Sequence, residues 1–597
     1  MGIPGMYRFI EKYNDVKYVS ENGVIGTVIK SGLPTENEYE PITKTTVPMN
    51  MNEHLFLDFN GGIYTAFHNN QCTTVTSLIN NTIGYFDLLI SLYLDYNRQI
   101  NSQLKTVFLA IDGIPPRAKI EQQRTRRFHS IDEKNTVRKL SDKYNQTPNQ
   151  PNPIDTNMIT PGTEFMEQLH QKLLQHFIVI QNKYPDINFI YSGYNEPLEG
   201  EHKLLQYIKN NEWVKNDRII IYGLDADLIM LSMIASDYIG QGGIYLLREK
   251  TEYGNLSFDY QGSKFLYLDI NLTKSSLLKE FENNLGDIAN EDINGFMDDF
   301  VFFCFILGND FVPHIAHLAL DNYGGDTLMT VYCNVYNMYR EFLVDRETMK
   351  INHLILLRLF EELKTTERDD MVKYHKHRQR RKINMRQITN EYDRQMQLMK
   401  FFPLKHLYVE KEIDPVNVGW ENRYYKICFN QTPTDEFKET VVKRYLESLV
   451  WTFRYYFDKV DSWSWFYPYH YGPLCNDVFQ YLEKMSNKEI TTPVNNINQI
   501  KFPKGRPVKP QELLAMVLPY SSRHLMATGI QSEITNKNNP LSKYFPSTYR
   551  MSLPYHSFYW QCRPILPIIN YKIVEEEIKK IKLSKNEQER NVNIYKS

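Results

Sequence analysis

The stretch that decides the fold is Ile219–Leu231, IIIYGLDADLIML, in which two aspartates lie between two apolar runs. The first run is typical of a buried strand, and the second suits a buried helix. Burial of one unpaired carboxylate costs several kcal/mol. Asp225 and Asp227 therefore need a compensating role: either they cap the following helix or they bind a cation.

Similar units precede this stretch, because strand-like and helix-like segments alternate over about the first 320 residues. This alternation predicts an α/β fold with a mostly parallel central sheet flanked by helices. The strand-like segments are His54–Phe59, Thr106–Ile111, Ile187–Ser192 and Arg218–Tyr222. The helical patterns are Thr76–Tyr96, Arg117–Tyr144, Gly162–Lys183 and Gly200–Lys209.

The length of 597 residues indicates more than one domain. We predict a first α/β region over 1–325 and a helical linker over 326–435. The linker carries a polar stretch, Thr365–Lys400, with the basic centre HKHRQRRK (His375–Lys382), and we interpret this stretch as a long exposed helix that joins two halves. A second, aromatic-rich region packed on the sheet is expected over 436–571, followed by a charged, peripheral C-terminal tail over 572–597.

Composition excludes several classes of protein. The net charge of −2 gives no global preference for a nucleic acid or a membrane, and the six cysteines show no C-x-x-C spacing for zinc. The start of the chain lacks a secretory signal, and the longest apolar run, Phe300–Leu307, is too short for a membrane span. We expect a monomeric intracellular protein that is not secreted and does not bind membranes. A cytoplasmic location is expected rather than a nuclear one, although the basic run Gln379–Lys382 could act as a nuclear signal.

Acidic residues follow four strand-like segments and one buried helix. Because the carboxyl ends of parallel strands share one edge of a sheet, these side chains should converge there. The seven candidates are Asp58, Asp112, Glu199, Glu201, Asp225, Asp227 and Asp310.

Such convergence is strongly repulsive unless cations are bound. One pair of carboxylates 4 Å apart costs ~4 kcal/mol at an effective dielectric of ~20. Two Mg²⁺ ions, or Mn²⁺, would remove this repulsion with hard oxygen ligands. Two such ions can drive phosphodiester hydrolysis, one activating water and the other stabilising the leaving oxygen. Each acid taken singly could instead be a turn or helix-cap residue; the joint pattern favours the metal site.

A basic helix begins directly after Asp112. The segment Arg117–Lys139 holds eight Lys or Arg against three Asp or Glu. Lys119, Gln123, Arg126 and Arg127 share one helical face by their spacing. A solvated basic face is the alternative, but the position beside a metal-binding carboxylate favours a phosphate pocket.

Long motifs along the chain resemble those of the XRN family of 5′→3′ exoribonucleases, within the wider PIN and flap-endonuclease-like superfamily. In the N-terminal region these are IDGIPPRAKIEQQRTRRF from Ile111, ITPGTEFMEQL from Ile159, EPLEGEHK from Glu196, YGLDADLIML from Tyr222 and GNDFVPHI from Gly308. In the second region they are SWSWFYPYHYGP from Ser462, PQELLAMVLP from Pro510 and WQCRPILP from Trp560.

The resemblance covers about residues 1–320 and 440–570 and makes 1–325 the nuclease region. It implies a two-metal nuclease that removes nucleotides stepwise from 5′-monophosphorylated single-stranded RNA, in RNA decay, with the seven acids as metal ligands and Lys119, Gln123, Arg126 and Arg127 as the 5′-phosphate pocket. Because large accessory domains and a zinc knuckle are missing, it also implies a minimal catalytic core. The family's N-terminal start, here MGIP, is expected near the active site.

The family also stacks the first bases between aromatic side chains. Its histidine platform corresponds here to Tyr64, which can stack but cannot become cationic, and His68 could substitute for it. The tryptophan platform is expected at Trp463 or Trp465, for which core packing is the alternative.

Two other functions stay open at this point. A structure-specific 5′ nuclease acting on DNA flaps would share the carboxylates, but the SWSWFYPYHYGP block argues against it. A non-catalytic RNA-binding scaffold is the alternative from a different class; it is disfavoured because all seven motif positions are acidic.

Overall fold

The computed structural model describes residues 16–19, 25–28, 40–41, 51–69, 72–100, 102–146, 154–223, 225–239, 242–249, 251–252, 255–256, 265–385, 387–486 and 496–595. The MGIP segment, which we expected near the active site, lies outside the described residues.

The strands are short, and most of them lie before residue 270. They are β1 Val16–Val19, β2 Ile25–Val28, β3 Glu40–Pro41, β4 Asn52–Asp58, β5 Gln103–Ala110, β6 Asn188–Ser192, β7 Asp217–Tyr222, β8 Ile244–Glu249, β9 Thr251–Glu252, β10 Asn255–Leu256, β11 Phe265–Asp269, β12 Val344–Asp345, β13 Lys350–Ile351, β14 Arg550–Met551 and β15 Pro564–Ile565.

Helices separate these strands and make up most of the chain after residue 270. They are α1 Asn60–Asn69, α2 Val75–Ile100, α3 Arg117–Lys143, α4 Glu164–Lys183, α5 Gly200–Asn210, α6 Asp227–Ala235, α7 Ile270–Leu285, α8 Ile293–Ile306, α9 Gly324–Tyr339, α10 His353–Arg380, α11 Glu391–Lys400, α12 Phe402–Lys405, α13 Leu407–Lys411, α14 Trp420–Phe429, α15 Asp435–Phe457, α16 Cys475–Ser486, α17 Pro510–Val517, α18 Thr528–Thr535, α19 Tyr571–Lys579 and α20 Lys585–Glu589.

The predicted α/β fold with a mostly parallel central sheet is confirmed. Among the described residues the large sheet has nine strands in the order β3-β2-β1-β11-β8-β7-β4-β5-β6. The five strands from β8 to β6 pair in parallel, whereas β11, β1, β2 and β3 extend the sheet with antiparallel pairs. All six residues of β7 are buried, as expected for a strand covered by helices on both faces.

Helices cover both faces of the sheet and form separate apolar cores. On one face, side chains of α5, α6 and α8 pack with α15, so the second region contributes directly to the main core. On the other face, β4 and β5 pack against α1, α2 and α4. A further core joins α17, α18 and α19 to the start of the basic helix through Ile120. No helix in the described part of the chain combines the length and apolarity needed to cross a bilayer.

The strand order places a topological switch point beside β4. The chain moves outward from β4 to β5 and β6, and then returns to β7 on the opposite side of β4. In open α/β sheets ligands bind in the crevice that such a reversal leaves at the carboxyl ends of the strands. The last residue of β4 is Asp58, so the first predicted acid lies at this crevice.

The prediction of a long exposed basic helix within the linker was wrong. The helix α10 begins earlier, at His353, and ends at Arg380, before a break and the separate helix α11. The side chain of Arg378 is 0% exposed and forms two hydrogen bonds with the Glu410 carboxylate, of 2.8 and 2.6 Å. It also donates to the backbone oxygen of His556. The basic stretch therefore anchors the linker to the second region instead of facing solvent throughout.

Glu410→Ala should lower the free energy of unfolding by about 3–5 kcal/mol, because it leaves the buried guanidinium of Arg378 without its anionic partner. The control is Glu361→Ala, since Glu361 pairs with Arg358 at the surface with both side chains 37% exposed. That change should cost less than about 1 kcal/mol. Equilibrium urea unfolding checks both values, and equal effects would show that the buried pair contributes no more than a surface pair.

The C-terminal tail over 572–597 is not peripheral within its described part. Val574 and Ile578 of α19 are buried in the core that contains α17 and α18. The backbone N–H of Ile594 donates to the backbone oxygen of Asn195, between β6 and α5. The tail therefore contacts the nuclease region close to the predicted acids of α5.

Candidate active site

The structure places the seven predicted acids at the carboxyl edge of the sheet, each within electrostatic range of at least one other. Asp58 ends β4, Asp112 follows β5 by two residues, and Asp310 follows α8. The other four lie at the N-terminal ends of α5 and α6: Glu199, Glu201, Asp225 and Asp227. Glu199, Glu201 and Asp227 are buried, and the remaining acids are partly buried.

Two hydrogen-bonded neighbours orient Asp112. The side-chain amide of Asn60 donates to Asp112 Oδ2 over 2.6 Å, and the backbone N–H of Gly200 donates to Asp112 Oδ1 over 2.8 Å. Gly200 also passes directly by Asp58. A Cβ atom at Gly200 would lie 2.4 Å from Asp58 Oδ1, so only glycine allows this backbone to approach the carboxylate.

The second region reaches into this site through a tyrosine. The hydroxyl of Tyr455, in α15, donates to Glu199 Oε2 over 2.6 Å, although the two residues are 256 positions apart. Tyr455 in turn stacks on Trp451 with ring centroids 4.8 Å apart. An aromatic stack in the second region thus fixes the orientation of one acid in the first.

The ammonium of Lys119 lies among the acids. It is 2.6 Å from Glu199 Oε1 and 3.0 Å from Asp310 Oδ2. Burial would lower the pKa of Lys119, but these carboxylates raise it well above its usual range. The sequence assigned Lys119 to the phosphate pocket with Arg126; here its partners are two of the predicted metal ligands.

One ammonium does not balance seven carboxylates. Burial, together with the charges of Asp112 and Asp225, raises the pKa of Asp58 well above its usual range. Burial and repulsion from Asp310 raise the pKa of Asp227 to about 7. For Asp310 itself burial acts in the same direction, but the charge and hydrogen bond of Lys119 and the other nearby cations, Arg126 among them, together outweigh it and lower the pKa. Without added cations, part of this cluster therefore holds protons at neutral pH.

The donor atoms of the cluster fit divalent cations. Asp58 Oδ1 and Asp227 Oδ1 are buried and have no hydrogen-bond partner in the described part of the protein. Unpaired buried oxygens are costly, and hard oxygen donors are the ligands that Mg²⁺ and Mn²⁺ prefer. Asp58 and Asp227, together with the neighbouring acids at the carboxyl edge of the sheet, are the residues that would hold such ions.

The remaining members of the predicted phosphate pocket lie further along α3. Arg126 is exposed, Gln123 is partly buried, and one guanidinium nitrogen of Arg127, Nη1, is buried without a partner among the described residues. Burial lowers the pKa of Arg127 to about 10, and Tyr64 lies within electrostatic range of it. A buried donor without an acceptor is the feature expected of a site that receives an anion. His68, the alternative to Tyr64, is exposed.

A cavity of about 510 Å³ adjoins the acids between α3, the loop after α8 and the second region. Its lining includes Asp310, Arg126, Arg563 and Trp560. The indole of Trp560 is 52% exposed and is stacked on Phe558, with ring centroids 6.1 Å apart and planes 14° apart. An exposed aromatic surface therefore lines the same cavity as a cation and a predicted metal ligand.

The two tryptophans expected to stack on bases, Trp463 and Trp465, pack with the core. Trp465 is 6% exposed, stacks on Trp451 and donates its ring N–H to Glu447, so it belongs to the core. Trp463 is partly buried and packs against the same core. Residues of the motif SWSWFYPYHYGP from Phe466 to Tyr471 line the cavity.

Sequence reasoning missed Asn60, Gly200, Tyr455 and Trp560. Asn60 and Gly200 were within reach, because Asn60 directly follows the strand segment that carries Asp58 and Gly200 lies inside the motif EPLEGEHK. Tyr455 and Trp560 lie in aromatic-rich segments where no local pattern separates a site residue from a core residue. Their positions depend on contacts between segments distant in sequence.

A parallel α/β sheet with converging carboxylates at its switch point and a basic helix beside them defines a nuclease of the PIN and flap-endonuclease-like class. The model of the XRN 5′-3′ exonuclease N-terminus matches residues 1–250, and that of the Xrn1 helical domain matches 290–414 and 405–597. The chain belongs to the XRN family of 5′→3′ exonucleases.

Relatives align with almost the whole chain. The 5′-3′ exoribonuclease 2 of Arabidopsis thaliana is 26% identical over 99% of this chain and 68% of its own length. The 5′-3′ exoribonuclease 1 of Homo sapiens is 28% identical over 91% of this chain and 33% of its own length. The corresponding protein of Saccharomyces cerevisiae is 25% identical over 90% of this chain. The chain spans 42% of the yeast relative's own length and 33% of the human relative's.

Proposed function

We propose that this protein hydrolyses 5′-monophosphorylated single-stranded RNA stepwise from its 5′ end and releases mononucleotides. The observation that supports this most directly is the position of the basic helix. Its residue Arg126 lines the same cavity as Asp310 and lies within electrostatic range of that acid, and Arg127 is the next residue of the helix. A terminal phosphate and the adjacent phosphodiester bond can therefore be held at the same time. The names of the relatives agree with a 5′→3′ exoribonuclease.

The seven acids are proposed as ligands of two Mg²⁺ ions, which Mn²⁺ could replace. When bound, the two ions supply an activated water and stabilise the leaving oxygen. The chain's own residues prepare the site: Asn60 and the Gly200 N–H orient Asp112, and Tyr455 orients Glu199. Lys119 keeps part of the negative charge compensated inside the cluster.

The cavity provides the path for the nucleotides next to the scissile bond. Trp560 offers an exposed indole face on its wall, and Tyr64 lies within electrostatic range of Arg127. We therefore propose Trp560, and not Trp465, as the tryptophan that stacks on a base.

Three expectations from the sequence stay predictions. They are a monomeric state, a cytoplasmic location and the division of the chain into 1–325, 326–435, 436–571 and 572–597.

The experiment that tests the function is digestion of 3′-labelled RNAs with a 5′-monophosphate, hydroxyl, triphosphate or cap. The 5′-monophosphate RNA should be degraded processively or stepwise to mononucleotides in Mg²⁺ and remain intact in EDTA. Equal cleavage of a DNA flap would instead favour the structure-specific nuclease. Binding of RNA without nucleotide release in Mg²⁺ or Mn²⁺ would favour a non-catalytic scaffold.

Arg126→Ala should reduce the preference for 5′-monophosphate over 5′-hydroxyl RNA by roughly 10-fold or more, since a charge-assisted hydrogen bond contributes about 1.5–3 kcal/mol. The matched control is Arg138→Ala, on the same helix but away from the cavity lining. Initial rates on the two substrates measure the preference. An unchanged ratio in Arg126→Ala would remove this residue from the phosphate pocket.

Trp560→Leu should lower kcat/KM on RNA by roughly 5- to 150-fold, because stacking of a base on an aromatic side chain contributes about 1–3 kcal/mol. Trp560→Phe keeps an aromatic face and should retain most of the activity. Tyr323→Leu removes another aromatic ring, 76% exposed and outside the cavity lining, and serves as the control. If Trp560→Leu and Tyr323→Leu behaved alike, Trp560 would not be a base platform.

A further inference from the structure

A second group of possible metal ligands lies outside the carboxylate cluster, where three distant segments meet. His317 belongs to the loop after α8, Glu367 to α10, and Cys475 is the first residue of α16. One donor atom from each, a ring nitrogen, a carboxylate oxygen and a sulfur, lie within 4.8 Å of one another. All three residues are buried.

The hydrogen bonds around this triad leave His317 unexplained. Glu367 accepts the backbone N–H groups of Cys475 and Asn476, over 2.6 and 3.1 Å, and so caps the first turn of α16. His317 is 2% exposed, yet neither of its ring nitrogens has a hydrogen-bond partner in the described part of the chain. Its Nδ1 lies 3.8 Å from Glu367 Oε1, which is too far for a hydrogen bond.

The charge of Glu367 is only partly compensated, by the two backbone N–H groups at the start of α16. Among the described residues no lysine or arginine is within ion-pair distance of its carboxylate, and the nearby Asp477 and Glu421 are acidic. A buried carboxylate without a cation is unfavourable unless it is protonated or binds a metal. An imidazole nitrogen without a partner, pointing to the same place, favours the metal.

We propose that His317, Glu367 and Cys475 bind one zinc ion. Zinc takes imidazole nitrogen at about 2.0–2.1 Å, carboxylate oxygen at about 2.0–2.2 Å and thiolate sulfur at about 2.3 Å in a tetrahedral arrangement. These lengths put neighbouring ligand atoms roughly 3.4–3.6 Å apart. The observed 3.8 Å between His317 Nδ1 and Glu367 Oε1 is close to this spacing, and a water can complete the four ligands.

The two sites differ in chemistry and do not compete for one ion. The carboxylate cluster offers oxygen atoms only and suits Mg²⁺, whereas the mixed nitrogen, oxygen and sulfur set suits zinc. The zinc would have a structural effect on the nuclease site. His317 is seven residues beyond Asp310 in one loop, so the ion would tie this loop to α10 and α16 and help hold Asp310 in place.

Metal analysis of the purified full-length chain tests the site. After dialysis against EDTA, which removes loosely held Mg²⁺, inductively coupled plasma mass spectrometry should find about one zinc per chain. Cys475→Ser and His317→Gln should each reduce this below about 0.2 per chain. Cys333→Ser, which removes another buried thiol, and Asp58→Asn, in the carboxylate cluster, should retain it. Retention of zinc in both ligand variants, or a zinc-free wild type that takes up none when zinc is added, would overturn the proposal.

Cobalt substitution keeps the proposal testable if a ligand variant fails to fold. Wild-type protein reconstituted with Co²⁺ should show near-ultraviolet thiolate-to-cobalt charge transfer, which Cys333→Ser leaves unchanged. Absence of this band in the wild type would exclude Cys475 as a ligand. The measurement needs no RNA, so a protein that bound zinc but released no nucleotides would contradict the proposed function alone.

Discussion

Asp58→Asn is expected to lower the rate of RNA hydrolysis by more than about 100-fold, while binding of 5′-monophosphorylated RNA persists. Replacing even the outer-shell partners of a bound metal costs about 10- to 100-fold, and Asp58 presents a buried oxygen without any hydrogen-bond partner among the described residues. The amide has nearly the same shape as the carboxylate, so the change removes charge and little packing. Single-turnover rates in Mg²⁺ and fluorescence anisotropy in EDTA separate the two effects.

Asp58→Asn is expected to stabilise the metal-free protein, although it lowers the rate of hydrolysis. Folding raises the pKa of Asp58, so its ionisation destabilises the folded state as the pH rises toward that pKa. In EDTA at pH 8, Asp58→Asn should therefore melt at a higher temperature than the wild type. Addition of Mg²⁺ should raise the melting temperature of the wild type more than that of the variant, because ligands stabilise the state that binds them.

Asp287→Asn is the control, since Asp287 is an exposed carboxylate on the same chain, away from the cluster. It should leave both the rate and the Mg²⁺ response unchanged. If Asp58→Asn kept more than about a tenth of the wild-type rate, the assignment of Asp58 as a metal ligand would be wrong. If Asp58→Asn melted at a lower temperature than the wild type in EDTA, charge repulsion from Asp58 would not be what destabilises the metal-free protein.

Gly200→Ala is expected to reduce hydrolysis by about 100-fold or more, although it adds a single methyl group. The new Cβ would lie 2.4 Å from Asp58 Oδ1 and 3.2 Å from the backbone oxygen of Ala110. The carboxylate of Asp58 is the part that can move, so it should turn away from the other acids. A displacement of about 1 Å at a reacting centre is enough for losses of this size.

Gly84→Ala separates this steric effect from the general effect of removing a glycine. Gly84 lies within α2, and a Cβ there would meet nothing within 4 Å. That variant should keep full activity and gain roughly 0.5–1 kcal/mol of stability, because alanine is the better helix former. Normal activity in Gly200→Ala would mean that Asp58 need not keep its observed position.

The sequence by itself determined the framework of the site. Apolar runs of strand length alternate with helical patterns, and this alternation requires parallel strands whose carboxyl ends share an edge. The positions of Asp58, Asp112 and the pair Asp225 and Asp227 follow from that rule, because each lies at the end of a strand or a few residues after it. The bounds of the basic helix were also predictable: the expected Arg117–Tyr144 is Arg117–Lys143 in the structure.

Only the tertiary structure decided how distant segments complete the site. It placed the Lys119 ammonium between Glu199 and Asp310, buried Arg378 against Glu410, and left Trp560 instead of Trp465 with an exposed ring on the cavity. Periodicity tells which side of an element is apolar, but it does not tell which other element covers that side. Contacts such as that of Tyr455 with Glu199, 256 residues apart, depend on the packing of whole helices against the sheet.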